Sequence, residues 1–403
     1  MKNLRRIIRS LVLITWPLTQ ACNAHGQNWN LTSAPNDYWK AVACSADGSF
    51  AIAATKLTPG GSLYSSSDSG ATWVPIALPA LMWNAVAVSP DGHQRYPLGS
   101  TLGSHSVIYA SMDSGITWVS NTTPSGTMTS LAVSSDGSKA YTTYFGGSAL
   151  YCSTNSMSTW NKANLPSAPW LTVASSRDGN IVIAGADAGP IYMSTNAGSS
   201  WFSNSVPTEP WASVACSPDA QCMIAAAYYA NGGGVVYSST NSGASWRSNN
   251  VPMKNWTAAA LSTDGQTMLA SSSGSSYSPV YVSHNGGGTW TPRMVPNSSD
   301  TNWFAIAMSA DGGKMVGVVY QRGIYNSYLP PNPTLNLLPL PQNLAKLCWT
   351  VPSTNLVLQQ TPALETAPWT NVTEPATLDH ISVQYQVSIS ITNNTGFFRL
   401  AGP

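Results

Sequence analysis

Short runs in which small apolar and polar residues alternate, each closed by a turn of the Ser-x-Asp-Gly kind, recur along most of the chain. They read WKAVACSADG, WNAVAVSPDG, MTSLAVSSDG, WLTVASSRDG, WASVACSPDA, WTAAALSTDG and WFAIAMSADG, and start at Trp39, Trp83, Met128, Trp170, Trp211, Trp256 and Trp303. Period-two alternation predicts a strand, and the turn predicts its reversal into a hairpin. A run such as FAIAA follows as a second strand and one such as SLYSS as a third. Next comes SSDSGATW ending at Trp73, repeated as SMDSGITW at Trp118, STNSMSTW at Trp160, STNAGSSW at Trp201, STNSGASW at Trp246 and SHNGGGTW at Trp290. These six copies lie 41 to 45 residues apart, and the residues after each supply a fourth strand. Four strands per period of this length predict an all-β repeat fold of radial blades.

Seven first strands against six of the second motif leave one period without a fourth strand. The segment NWNLTSAPNDYW, 28 to 39, aligns with SWRSNNVPMKNW, 245 to 256. Trp29 and Trp39 are ten residues apart, as are Trp73 and Trp83, Trp160 and Trp170, Trp201 and Trp211, and Trp246 and Trp256. Residues 28 to 34 are therefore expected to complete the last period, whose other strands run from Trp303 to about Tyr328. A ring closed this way hides the sheet edges that would otherwise invite aggregation.

The second motif resembles the Asp-box, S-x-D-x-G-x-x-W, of sialidases, xyloglucanases, the sortilin ectodomain and propellers of the photosystem II assembly-factor type. With the blade count, the resemblance implies a seven-bladed β-propeller over residues 28–328. In such a box the carboxylate of Asp68 or Asp113 accepts hydrogen bonds from its own turn, and Gly70 or Gly115 allows positive φ. Asn155, Asn196, Asn241 and Asn285 stand at the same place in the other boxes and form the turn without charge. These residues are read as structural, and Met157, replacing the glycine of the third box, predicts a distorted turn there.

Ahead of the repeats, Lys2, Arg5, Arg6 and Arg9 precede a short apolar run, the order of a secretory signal over residues 1–24. Cys22 offers a poorly matched lipobox as an alternative. The chain is thus expected to be exported: extracellular, periplasmic or attached to the cell surface. No later stretch reaches the ~20 apolar residues that span a bilayer. Behind the repeats, LPPNPTLNLLPLPQ reads as a Pro-rich linker, 329–342. Residues 343–403 carry β-type runs sufficient for a small β-sandwich-like domain. Its Trp369-x-x-Val372 and terminal Phe397-Phe398-Arg399-Leu400 resemble a C-terminal module of exported Verrucomicrobia-type proteins.

Charged residues make up 8% of the chain and the formal net charge is +1. There is no basic field for nucleic acid and no polybasic segment for anionic lipid. Cys216 and Cys222 flank one turn between two apolar runs and are expected to bridge across the hairpin. His93, His105 and His284 lack metal-ligand spacing, so neither metal nor cofactor is expected.

Strand direction puts the Ser-x-Asp-Gly turns and the boxes on one face. The opposite, variable face carries Lys56, His105, Tyr144, Phe145, Asp187, Tyr228, Tyr229, Tyr277 and Arg322, with Tyr38 near the central opening. Tyr228 and Tyr229, beside NGGG, break the repeat and are candidate ligand contacts, as are Asp187 and Arg322. Trp39, Trp83, Trp170, Trp211, Trp256 and Trp303 could form an aromatic ring on which a sugar or peptide stacks, or be wedged between blades.

An arginine triad of the sialidase kind is absent: the repeats hold Arg95, Arg177, Arg247, Arg293 and Arg322, and of these Arg322 alone falls on the variable face. Glycosidases resembling xyloglucanase need two facing carboxyl groups. Apart from turn and box residues, the repeats offer Asp37, Asp187, Glu209 and Asp300, and nothing selects a pair. The sequence therefore points to a monomeric, non-catalytic protein that binds an extracellular glycan or protein, with glycoside hydrolysis as the alternative.

Overall fold

The computed structural model describes residues 12–13 and then 29–328, except 57–59, 102–104, 147, 229–232, 275–277 and 296–301. Beyond these it describes 335–340, 344–350, 357–361, 370–373, 377–379, 384–390 and 397–401. Among the described residues the regular structure is entirely β. The chain divides into two compact units, Gly26–Leu329 and a second made of Met1–His25 with Pro330–Pro403.

In the larger unit, Trp39–Cys44 pairs antiparallel with Ala51–Thr55, which pairs with Gly61–Ser66, which pairs with the start of Val74–Val88. Val74–Val88 serves twice. Its first part ends that sheet, and its second part, from Met82, opens the next by pairing with Arg95–Ser100. Four-stranded sheets follow that open at Thr127–Val133, Trp170–Ser175, Trp211–Cys216 and Asn255–Leu261. The last sheet runs Trp303–Met308, Lys314–Val319, Ile324–Tyr328 and then Asn30–Leu31 from the start of the chain. Asn30 lies opposite Asn326 and Leu31 opposite Tyr325, while Trp29 is buried against Trp303 with ring centroids 4.8 Å apart. The ten-residue interval from Trp29 to Trp39 thus finds its partner where the repeat predicts it.

Each opening strand packs against the opening strand of the following sheet, and Trp303–Met308 packs against Trp39–Cys44, so the sheets return on themselves. Apolar side chains fill the spaces between sheets. One cluster joins Trp39, Val42 and Ala53 of the first sheet to Val316, Val318 and Ile324 of the last; another joins Ile183 and Met193 to Trp211, Val214 and Met223. Full burial of a large apolar side chain contributes about 1.5–3 kcal/mol, so these layers hold the ring.

Two expectations are corrected. Cys216 and Cys222 are free thiols. Cys216 pairs with Met223, and Ser217 takes its backbone bond from Cys222, so the two cysteines are one step out of register and project to opposite faces of the hairpin. Within the stretch read as a linker, Leu335–Leu340 is a strand paired with Leu344–Thr350. It is the edge strand of its sheet, the position in a sheet that tolerates a proline such as Pro339.

In the smaller unit that sheet continues through Gln384–Ser390 to Thr377–Asp379, and Leu347, Cys348 and Val387 are buried. A second sheet orders Val12–Leu13, Phe397–Ala401, Val357–Thr361 and Thr370–Asn371. The charged start of the leader and Cys22 lie outside the described residues.

Candidate functional site

The two recurring turns occupy one face of the ring and engage their own polar groups. In the first, Asp47 Oδ1 accepts from Ser45 Oγ at 2.6 Å and from the Ser49 amide at 3.0 Å, while Ser45 Oγ accepts from the Phe50 amide. In the first box Asp68 accepts from Ser66 Oγ at 2.7 Å and the Thr72 amide at 2.9 Å, and Trp73 Nε1 donates to Gly70 O. Asp113 does the same with Ser111 and Thr117. In the asparagine boxes the amide reverses one role: Asn241 Oδ1 accepts from the Ser245 amide, and its Nδ2 donates to Ser245 Oγ. Asn155, Asn196 and Asn285 repeat this with Thr159, Ser200 and Thr289. The third box keeps its turn, against the expected distortion: Met157 holds φ at 65°, beside the 78–87° of the glycines in the other boxes, and its amide donates to Ser153 Oγ; what differs is Trp160, whose Nε1 turns away to Thr122 O. Each box rests on its sheet's first turn, as where the Ser69 amide donates to Ser49 O and the Ser242 amide to Gln221 O.

The tryptophan ring is not a stacking platform. Trp39, Trp83, Trp170, Trp211, Trp256 and Trp303 are all at most 1% exposed, and each meets a tyrosine of its own sheet's third strand, from Tyr64 to Tyr325. Trp83, Trp211, Trp256 and Trp303 also reach back to the preceding sheet, donating to the carbonyls of Gly61, Gly189, Gly234 and Ser278. They are wedges between sheets and have no ring face to offer a ligand.

On the opposite face, in four of the sheets, the residue after the second strand is tied to the residue before the wedge: the amides of Lys56, Asp187, Tyr228 and Tyr320 donate to the carbonyls of Tyr38, Pro169, Pro210 and Asn302. Among the acids, Glu209 donates its amide to Gly189 O at 3.3 Å, which brings its loop beside the one carrying Asp187. Burial, then the charge of Glu209, pushes the Tyr237 hydroxyl up. Asp37 lies elsewhere, in a backbone bridge with Arg322, and its Oδ1 accepts from the Tyr38 amide. Tyr229, Tyr277 and Asp300 fall outside the described residues; Tyr228 is partly buried at the edge of the undescribed loop. Among the described residues no three His, Cys, Asp or Glu side chains converge as a metal site would require.

Sequence reasoning missed a ring of bulges. In every opening strand the pairing register shifts across one residue, which leaves Lys40, Asn84, Thr129, Leu171, Ala212, Thr257 and Phe304 unpaired at equivalent positions. Lys40 is the charged one. Its ammonium sits 4.6 Å from the ring centre of Phe304, the equivalent residue of the adjoining sheet. Phe304 packs on Tyr320 at 5.2 Å, and Tyr320 meets Tyr38 edge to face at 5.3 Å. Desolvation, then the like charge of Lys56, lowers the Lys40 ammonium from 10.5 to about 8. On its other flank in ring order, Asn84 is buried; its Nδ2 donates to Ser100 Oγ, and its Oδ1 has no partner. Aligning the residue after each first-strand Trp or Met isolates Lys40 and Phe304 in the sequence as well.

No family model and no curated protein matches this chain. Among solved structures it is similar to the GH74 xyloglucanase from Xanthomonas campestris, at 17% identity and a TM-score of 0.61 over 80% of this chain and 59% of that one. The GH74 enzyme of Niastella koreensis matches at 15% identity with the same TM-score and coverage. The chain thus spans about three fifths of the length of these enzymes. YCF48 bound to D1 peptide matches at 16% identity, TM-score 0.56, over 76% of this chain and 97% of that one. YCF48 from Cyanidioschyzon merolae matches at 15% identity, TM-score 0.57, over 75% and 99%. Identities this low carry the fold and nothing finer, and the fold they share with the closed ring of sheets is the β-propeller.

Proposed function

We propose that this is an exported, seven-bladed Asp-box propeller that binds a glycan or protein ligand without turning it over, through the face opposite the boxes. The observation that carries the reading is a division of side chains. Those that repeat, the turn aspartates, box residues and wedge tryptophans, are engaged inside the fold. Those that do not repeat, among them Lys40, Lys56, Tyr38, Asp187, Tyr228 and Tyr320, gather at the other face. Singular polar and aromatic groups on a rigid repeated scaffold are the usual form of a recognition surface. The fold's neighbours include a protein bound to a peptide and enzymes named for a polysaccharide, so both ligand classes fit it. In this reading the leader directs export, residues 343–403 form a small β-domain that tethers or spaces the propeller, and the protein acts as a monomer.

The alternative, glycoside hydrolysis, rests on Asp187 and Glu209, whose loops the Gly189 bridge brings together. Two carboxyl groups about 5–5.5 Å or 6.5–9.5 Å apart would suit a retaining or an inverting reaction. A glycan array probed with the purified full chain, with the same sugars assayed for reducing-end release, separates the two. Retention without release is the expected result. Release that disappears in the Asp187→Asn/Glu209→Gln double variant would replace the binding reading with the enzymatic one.

A further inference from the structure

The bulge ring suggests what kind of ligand the open face takes. Of its seven positions six are neutral, and the seventh places a lysine ammonium against an aromatic ring. An ammonium in this position loses solvation that a ring face replaces only in part. Around it lie Lys56 on its own sheet, Tyr38 and Asp37 on the preceding loop, Phe304, Tyr320 and Arg322 on the adjoining sheet, and the neutral Asn84 on the next. Asp37 is engaged with the Tyr38 amide, and the charge that acts on Lys40 is the like charge of Lys56. The site thus holds two cations with no anion beside them and a half-buried aromatic cluster.

Resting on the binding reading above, we propose that Lys40 and Lys56, with Phe304, Tyr320 and Tyr38, form a subsite for one acidic sugar unit of a polysaccharide, a uronate. Its carboxylate pairs with the two ammonium groups, drawing Lys40 from the Phe304 ring, and its C–H face lies on the partly exposed tyrosines, Tyr38 and Tyr320. A peptide's terminal carboxylate would satisfy the lysines but brings no pyranose face for the aromatics.

Titration calorimetry of the full chain with a uronate trisaccharide, its carboxyl-reduced neutral counterpart and a short peptide with a free C-terminus tests this. The uronate binds, the neutral sugar binds at least tenfold more weakly, and the peptide does not bind. Lys40→Met and Lys56→Met each weaken the uronate tenfold or more; Lys56 is exposed, so its variant reports on binding even where Lys40→Met disturbs the fold. Carboxylate binding also requires Lys40 to be protonated. Affinity is therefore level below pH 8 and falls up to tenfold per pH unit above it, a dependence that Lys40→Met removes. Equal affinity for acid and neutral sugars, affinity unchanged in both variants, or binding of the peptide alone would overturn the proposal. Glycan retention that ignores both lysines sinks this subsite and leaves the binding reading standing, whereas an array that retains nothing sinks both.

Discussion

The amide of Ala310 donates to the carbonyl of Ala46 at 2.7 Å, and this bond ties the turn of the last sheet to that of the first. The seam is tight: a Cβ on Gly48 would lie 2.9 Å from Lys314 Cβ and 3.0 Å from Ser309 Cβ. It also sets apart two aspartates that occupy the same place in their turns.

Asp47 and Asp311 accept equivalent bonds, from Ser45 and the Ser49 amide in one turn and from Ser309 and the Gly313 amide in the other, but the Ser49 hydroxyl gives Asp47 one more that Gly313 cannot supply. Desolvation acts on both. At Asp47 the hydrogen bonds outweigh it and its carboxyl lies below the ordinary 3.8; at Asp311 desolvation wins and its carboxyl lies above. A depressed carboxyl stabilises the fold above its ordinary pKa and loses that contribution as pH falls through the folded value; a raised one penalises the fold as pH rises past the ordinary value. Asp311→Asn should therefore raise the melting temperature at pH 7 and Asp47→Asn lower it, with both differences shrinking at pH 3. Melting curves at the two pH values check this, and same-sign shifts at pH 7 would contradict it.

The wedges and the box tryptophans should differ sharply in energetic weight. Trp211 is fully buried, donates to Gly189 O at 2.8 Å, and lies so close to Gly185 that a Cβ there would meet Trp211 Cβ at 2.7 Å. Trp211→Ala should cost about 3–5 kcal/mol. Trp160 belongs to the third box, is partly exposed and bonds a carbonyl at the end of the fourth strand of the preceding sheet, so Trp160→Ala should cost about 1 kcal/mol. Urea unfolding gives both numbers, and equal losses would mean that the wedges do not carry the interface between sheets.

Period and spacing made the repeat, its turns and the N-terminal closing strand legible, because Trp29 stands ten residues before Trp39, the interval that five of the box tryptophans keep from the next first strand. The free thiols were hidden because flanking a turn says nothing about parity: Cys216 and Cys222 are near in sequence, but strand alternation sends them apart. Leu335–Leu340 was hidden because proline reads as a breaker unless the strand is known to be an edge. The bulge ring was hidden because a bulge breaks the alternation by which strands are recognised, and in WKAVAC nothing marks Lys40 as the residue left unpaired.

Register predicts the thiol chemistry. Burial, then the charge of Asp219, pushes the Cys216 thiol up to about 12, while Cys222 lies at the surface near Asp264 O. Native protein should therefore alkylate at Cys222 well before Cys216, and the unreduced, denatured chain should accept alkylation at both. Intact-mass measurement under non-reducing conditions decides it. Failure of both cysteines to react before reduction would restore the disulfide.

The asparagine boxes make a prediction about the aspartate boxes. Asp68 and Asn241 hold equivalent turns, each accepting from a serine hydroxyl two residues before and an amide four residues after. The difference is at the second oxygen: Asp68 Oδ2 accepts from Thr72 Oγ1 at 2.5 Å, whereas Asn241 Nδ2 donates to Ser245 Oγ at 2.9 Å. A hydroxyl can rotate to serve either, so Asp68→Asn keeps the turn and Asp68→Ala loses it, at about 1 kcal/mol for an exposed network. The carboxylate adds a pH signature. Slight desolvation pushes Asp68 up, but hydrogen bonds from Thr72, Ser66 and Ala71 outweigh it and hold the carboxyl at about 2. Its stabilisation is thus complete above 3.8 and lost as pH falls from there to 2. Asp68→Asn should trail the parent slightly at pH 7 and match it at pH 2, whereas Asp68→Ala should trail at both, in denaturant titrations run at each pH. If Asp68→Asn proves as costly as Asp68→Ala at neutral pH, the charge rather than the turn holds the aspartate boxes.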